Sequence, residues 1–120
     1  MNENSSSFFL TKYKNYSIII IERVNKMRIL WIDDMRKPPI QFGFCDWATT
    51  YADALFFLEN KEYDLVCFDH DLGEEHSGYD VAKWMVEHNY PVCAFHIHSM
   101  NPVGSANIRQ LLTHYGYKEI

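Results

Sequence analysis

Three short apolar runs in this 120-residue chain each break off into residues bearing charge, imidazole or hydroxyl: residues 29–32 into Asp33 and Asp34, residues 65–68 into Asp69, His70 and Asp71, and residues 92–95 into His96, Ile97, His98 and Ser99. Short apolar runs of this kind fit strands buried on both faces of a parallel sheet. In an open parallel sheet, ligands bind in the crevice outside the carboxyl ends of the strands. Three strands that all end this way would bring Asp33, Asp34, Asp69, Asp71, His98 and Ser99 to one place, so an active site is the leading expectation.

The segments between the runs carry helical spacing. Thr50 is placed to cap a helix whose Tyr51, Ala54, Leu55 and Leu58 recur at i, i+3, i+4 and i+7. A second helix is expected from about Tyr79 to Glu87, with Val81, Trp84 and Met85 on one side and Pro91 beyond its end. A third carries Ile108, Leu111, Leu112 and Tyr115, with Ser105 as its cap, residues 101–104 as the preceding turn and Gly116 as its stop. Lys37-Pro38-Pro39 forbids a long helix after the first strand, which predicts a loop through Gly43 and a short strand at 46–48. Strands at 28–33, 63–68, 92–98 and 117–120 complete the pattern. The fold class predicted is α/β: a three-layer sandwich on a parallel sheet with right-handed crossovers.

Composition limits the partners. The net charge of -5 gives no basic stripe to displace counterions from a nucleic-acid polymer, so any nucleotide ligand is expected to be small. No run is long enough to span a bilayer. Cys45, Cys67 and Cys93 are odd in number and widely spaced, and two lie within apolar runs; they read as core thiols of a reducing, cytoplasmic compartment. The first 26 residues differ from the rest, with Ser5-Ser6-Ser7 next to Phe8-Phe9-Leu10, and are expected to be an N-terminal extension that the domain at 27–120 does not need for folding or activity.

Carboxylates converging at strand ends repel one another unless protons or a cation neutralise them. Asp33, Asp34 and Asp69, with Asp71 as a further ligand, form an all-oxygen set suited to Mg²⁺; His96 and His98 would share a strand face about 6–7 Å apart and leave Mn²⁺ or another transition metal open. His98 and His70 are the candidates for proton transfer, while His76, His88 and His114 read as solvated. Ser99, Gly104 and the helix start that follows suit a phosphate. Asn101 and Asn107 are candidates for ribose or phosphate oxygens, and Arg36 for a second phosphate.

Taken in order, Trp31-Ile32-Asp33-Asp34-x-Arg36-x-Pro38, Phe68-Asp69-His70-Asp71-Leu72-Gly73, Gly78-Tyr79-Asp80 and His98-Ser99-x-Asn101-Pro102-Val103-Gly104 resemble the receiver-like family called the cyclic-phosphate processing receiver domain. The resemblance covers essentially all of 28–120. It implies a receiver (flavodoxin)-like fold, here truncated two residues after Lys118 where an ordinary receiver continues into another helix. It further implies that Asp33, Asp34, Asp69 and Ser99 fill the receiver's site positions, and with His70 and His98 as additions the expected function is a metal-dependent phosphoesterase acting on a small nucleotide with a cyclic phosphate, its catalytic residues Asp69, His70, His98 and Ser99. Two other functions fit the same residues: a phosphoacceptor receiver that takes a phosphoryl group on Asp69, and a non-enzymatic binder of a nucleotide messenger.

Overall fold

The computed structural model describes residues 27–120; the expectation for residues 1–26 lies outside the described residues. The elements run β1 (Ile29–Ile32), a 3-10 turn (Ile40–Phe42), β2 (Asp46–Ala48), α1 (Tyr51–Asn60), β3 (Leu65–Phe68), α2 (Gly78–Glu87), β4 (Ala94–Ile97), α3 (Pro102–His114) and β5 (Lys118–Glu119). The five strands form one sheet in the order β2-β1-β3-β4-β5, and every pairing is parallel. This is the flavodoxin-like order, whose direction reverses between β1 and β3.

Side-chain alternation sorts the sheet into two faces. Leu30, Ile32, Val66, Phe68 and Phe95 join a core with Ala54 and Leu58 of α1, Val81, Ala82 and Met85 of α2, and Ile108 and Leu112 of α3. The partners on the other face are Ile29, Trp31, Leu65 and Cys67, packed with Met27, Phe42, Cys45 and Ala94. Among the described residues this second layer is built by loop, because the proline-bearing β1–β2 crossover contains only a 3-10 turn, as Pro38 and Pro39 require.

The caps explain the helix starts. Thr50 accepts a hydrogen bond from the Asp53 amide, as expected. Ser77 and Asp80 form a capping box for α2. The start of α3 is corrected: Ser105 lies buried inside the helix, and the cap is Asn101, whose Oδ1 accepts from the Gly104 amide at 2.9 Å, with Pro102 in the first turn. Proline tolerates that position because its missing donor is one the first turn leaves unpaired anyway. Strand β3 begins at Leu65, not Tyr63; the Tyr63 amide instead donates to the Tyr90 hydroxyl at 2.7 Å. Among the described residues no helix is long and apolar enough to cross a membrane.

Candidate metal and phosphate site

Register brings the strand ends together. Ile32 pairs with Phe68, and Phe68 with Ile97, so Asp33, Asp69 and His98 are the next row of a parallel ladder. The ladder extends to them: the Asp69 amide donates to Ile32 O and the His98 amide to Phe68 O, each at 2.9 Å. By alternation all three point toward the loop-covered face. One oxygen from each of Asp33, Asp34 and Asp69 lies within 4.8 Å of the others. The open cleft over them, about 640 Å³, is lined by Asp33, Asp34, Asp69, Asp71, Arg36, Met35, Gly73 and Met100.

Asp33 is fully buried. Its Oδ1 accepts from the amides of Met35 and Arg36, both at 2.8 Å; its Oδ2 faces His98 Nε2 at 3.1 Å and Arg36 Nε at 3.3 Å. Burial pushes its pKa up, but those amides and the charges of His98 and Arg36 outweigh burial and hold it below the usual carboxylate range. Two indoles brace the same turn: Trp31 Nε1 donates to Arg36 O and Trp47 Nε1 to Asp33 O, both at 2.7 Å. Sequence reasoning did not assign these tryptophans a part in the site. The available signal was parity, since Trp31 and Asp33 alternate onto one face.

Asp69 is 9% exposed. Burial and then the Asp33 charge raise its pKa, against a hydrogen bond from the Ser99 hydroxyl, the Arg36 charge and the Asp71 amide. Asp34 stands at the mouth with Gly73, where an added Cβ would come within 2.9 Å of its Oδ2. Gly73 has a φ of 68°, which a residue with a side chain adopts at a cost.

His98 reaches over β3, stacks on Trp31 with ring centroids 3.8 Å apart, and gives its Nε2 side to Asp33. Its side chain is 10% exposed and its Nδ1 is buried without a hydrogen-bond partner. It stands behind Asp33 and does not line the cleft. His96 lies 6.5 Å from it, ring to ring, as its strand position predicted, and bonds Ile120 O through Nδ1. Burial drives the His98 pKa down to about 4, although Asp33 pulls the other way. The unfolded chain takes up this proton near 6.5 and the native chain only near 4, so the unfolded state binds more protons in between and stability falls as pH drops through that window. His98→Gln is expected to remove roughly 2 kcal/mol of the stability difference between pH 7 and pH 5. The urea midpoint measured against pH checks this, and an unchanged slope would refute it.

His70 packs against Gly104, where an added Cβ would lie 2.3 Å from its ring, and its Nδ1 bonds Asp71 Oδ1 at 2.9 Å. Asn101 is spent on the helix cap, with its Nδ2 3.4 Å from His70 Nδ1 and 3.5 Å from Asp71 Oδ1. Asn101 and Gly104 therefore support the His70–Asp71 pair, which puts Asp71 in the cleft. Asn107 is not brought into this group. It is exposed on α3 in a separate groove with Tyr79, Gln110 and His114, because its helical position turns it away from the strand ends.

A second groove, about 450 Å³, opens at the other end of the sheet beside Arg28, Asp46, Lys61 and Tyr63. Of its two acids, Asp46 and Glu62, the first is already paired: Asp46 Oδ2 accepts from Lys61 Nζ at 2.7 Å and from the Tyr63 hydroxyl at 2.5 Å.

A family model described as the cyclic-phosphate processing receiver domain matches residues 28–114. A solved fusion protein containing a yeast Spc42 trimeric coiled-coil segment is similar at 22% identity and a TM-score of 0.58, over 78% of this chain and 66% of that one. The response regulator PhyR from Brucella abortus is similar at 14% identity and a TM-score of 0.46, over 87% of this chain and 56% of that one. The chain thus spans less than two thirds of the length of either structure. The first similarity is one of fold. No curated protein matches the chain.

Proposed function

Because the chain belongs to the cyclic-phosphate processing receiver domain family, we propose that its acidic cleft binds a divalent cation with a small nucleotide bearing a cyclic phosphate, and hydrolyses one phosphoester bond of the ring. The observation that carries this reading is the meeting of Asp33, Asp34 and Asp69 oxygens within 4.8 Å, with the Arg36 guanidinium beside them, 3.3 Å from Asp33 Oδ2. Hard carboxylate oxygens fit Mg²⁺, with Mn²⁺ as a substitute, and the residues that would hold the ion are Asp34, Asp69 and Asp33. Such an ion, when bound, supplies charge stabilisation at the phosphoryl oxygens.

The chain's own groups do the rest. Ser99 and Arg36 orient the phosphate. Asp71 lines the cleft, and its contacts to His70 and Asn101 are both made through Oδ1. The hydrogen bond from His70 leads the effects that hold the Asp71 pKa low, so Asp71 stays a carboxylate that accepts a hydrogen bond from water and orients it, without being a strong base. Asp71 orients the water that attacks phosphorus; a new P–O bond forms as one ring P–O bond breaks, the attacking water gives its proton to solvent, and the departing ribose oxygen takes one from solvent. His98 works through Asp33. Three free thiols, Cys45, Cys67 and Cys93, suit a reducing compartment such as the cytosol.

The placement of Asp69 at the end of β3, beside Asp33 and Asp34, equally favours a second reading, in which Asp69 accepts a phosphoryl group as a signalling receiver. A panel of cyclic mononucleotides, cyclic oligonucleotides and terminal 2′,3′-cyclic phosphates, incubated with Mg²⁺, Mn²⁺ or chelator, separates the two. Ring-opened product that needs the metal is expected. Inertness toward the whole panel, with lasting Asp69-dependent modification by acetyl phosphate, would support the receiver instead.

A further inference from the structure

The cleft holds four carboxylates, Asp33, Asp34, Asp69 and Asp71, and a single cationic side chain, Arg36. Oδ1 of Asp33 is committed to two amides of its own turn, so Oδ2 is the oxygen it has to offer, and that oxygen already faces both His98 Nε2 and Arg36 Nε. These two partners differ in how firmly they are held. The His98 ring is 10% exposed and stacked on Trp31, whereas the Arg36 side chain is 53% exposed and has one further anchor, Nη2 to His98 O at 2.9 Å. A divalent ion that takes Asp33 as a ligand must therefore take Oδ2 from the arginine.

Resting on the metal-site reading above, we propose that Arg36 is an exchangeable internal counterion. The ion and the guanidinium compete for Asp33 Oδ2, and the displaced Arg36 becomes the group that grips the substrate phosphate. A guanidinium suits both duties because its fixed fork of donors matches carboxylate and phosphate alike. Metal and phosphate then bind cooperatively, since the first ligand frees the side chain that holds the second.

Removing the arginine should consequently act in opposite directions on the two ligands. In the full chain, Arg36→Gln is expected to bind Mg²⁺ two- to fivefold more tightly by calorimetry, roughly the scale of an exposed ion pair. Inorganic phosphate at saturating Mg²⁺ is expected to bind several-fold more weakly. Asp33→Asn keeps the Oδ1 acceptor for the turn, so a double-mutant cycle identifies the route. The tightening should vanish in the Asp33→Asn background, titrated with Mg²⁺ to concentrations that saturate that variant. Unchanged or weaker Mg²⁺ affinity in Arg36→Gln, unchanged phosphate affinity, or tightening that persists with Asp33→Asn would overturn it. Failure of the unaltered protein to bind Mg²⁺ would remove the metal-site reading as well.

Discussion

Asp69→Asn is expected to lower ring-opening turnover by at least about a hundredfold, on the scale seen when a group that stabilises transition-state charge is removed, while leaving the protein as stable at pH 7 as before, or more so. Activity falls because an amide supplies no negative oxygen to a cation and no nucleophile to a phosphoryl group. Both readings of the site thus lose their central atom. Stability moves the other way. Burial and the Asp33 charge raise the Asp69 pKa, which makes its ionised form a cost to the native state at neutral pH. A neutral isostere relieves that cost. Turnover on cyclic phosphates and a urea titration at pH 7 check the pair of effects; retained activity, or activity lost together with the fold, would count against the assignment.

Gly78→Ala is expected to cost about 3 kcal/mol of stability and to disturb the cleft even though Gly78 lines none of it. Gly78 begins α2 and donates its amide to His70 O at 2.7 Å. A methyl group there would lie 2.0 Å from the carbonyl oxygen of Asp69 and 3.2 Å from His70 Cα. These are backbone atoms, so no side-chain rotation relieves the clash. The segment carrying Asp69 and His70 must shift, or α2 must move off the sheet. Urea denaturation measures the loss, and Mg²⁺ affinity reports the displaced carboxylate. A variant with unchanged midpoint and unchanged affinity would show that the 69–78 loop adapts freely.

What could be read from the sequence follows from how far each signal reaches along the chain. Strand ends were visible because a buried parallel strand is a short apolar run, and its end shows in the next residue; Asp33, Asp69 and His98 duly share a row. The Thr50 cap and the proline-broken crossover were equally local. The start of α3 is ambiguous in the sequence because Asn101, Pro102 and Gly104 also spell a turn, and only the Asn101–Gly104 hydrogen bond distinguishes a cap from it. Partnerships across the fold left no local trace. His98 reads locally as a proton carrier from its neutral-range chemistry, and nothing near it in the chain signals its contacts with Trp31 and Asp33, from 67 and 65 positions earlier. Asn107 reads as a ligand because it follows the phosphate-like turn, but a single helical turn carries it to another groove.

The indole bonds from Trp31 and Trp47 to the backbone of the acidic turn make the protein its own optical gauge. Any rearrangement that pulls Arg36 or Asp33 from its place alters the polarity around one indole or both, so ultraviolet emission should follow occupancy without an attached dye. The third tryptophan, Trp84, stacks on His88 at the end of α2 and supplies a steady background against which such a change can be read.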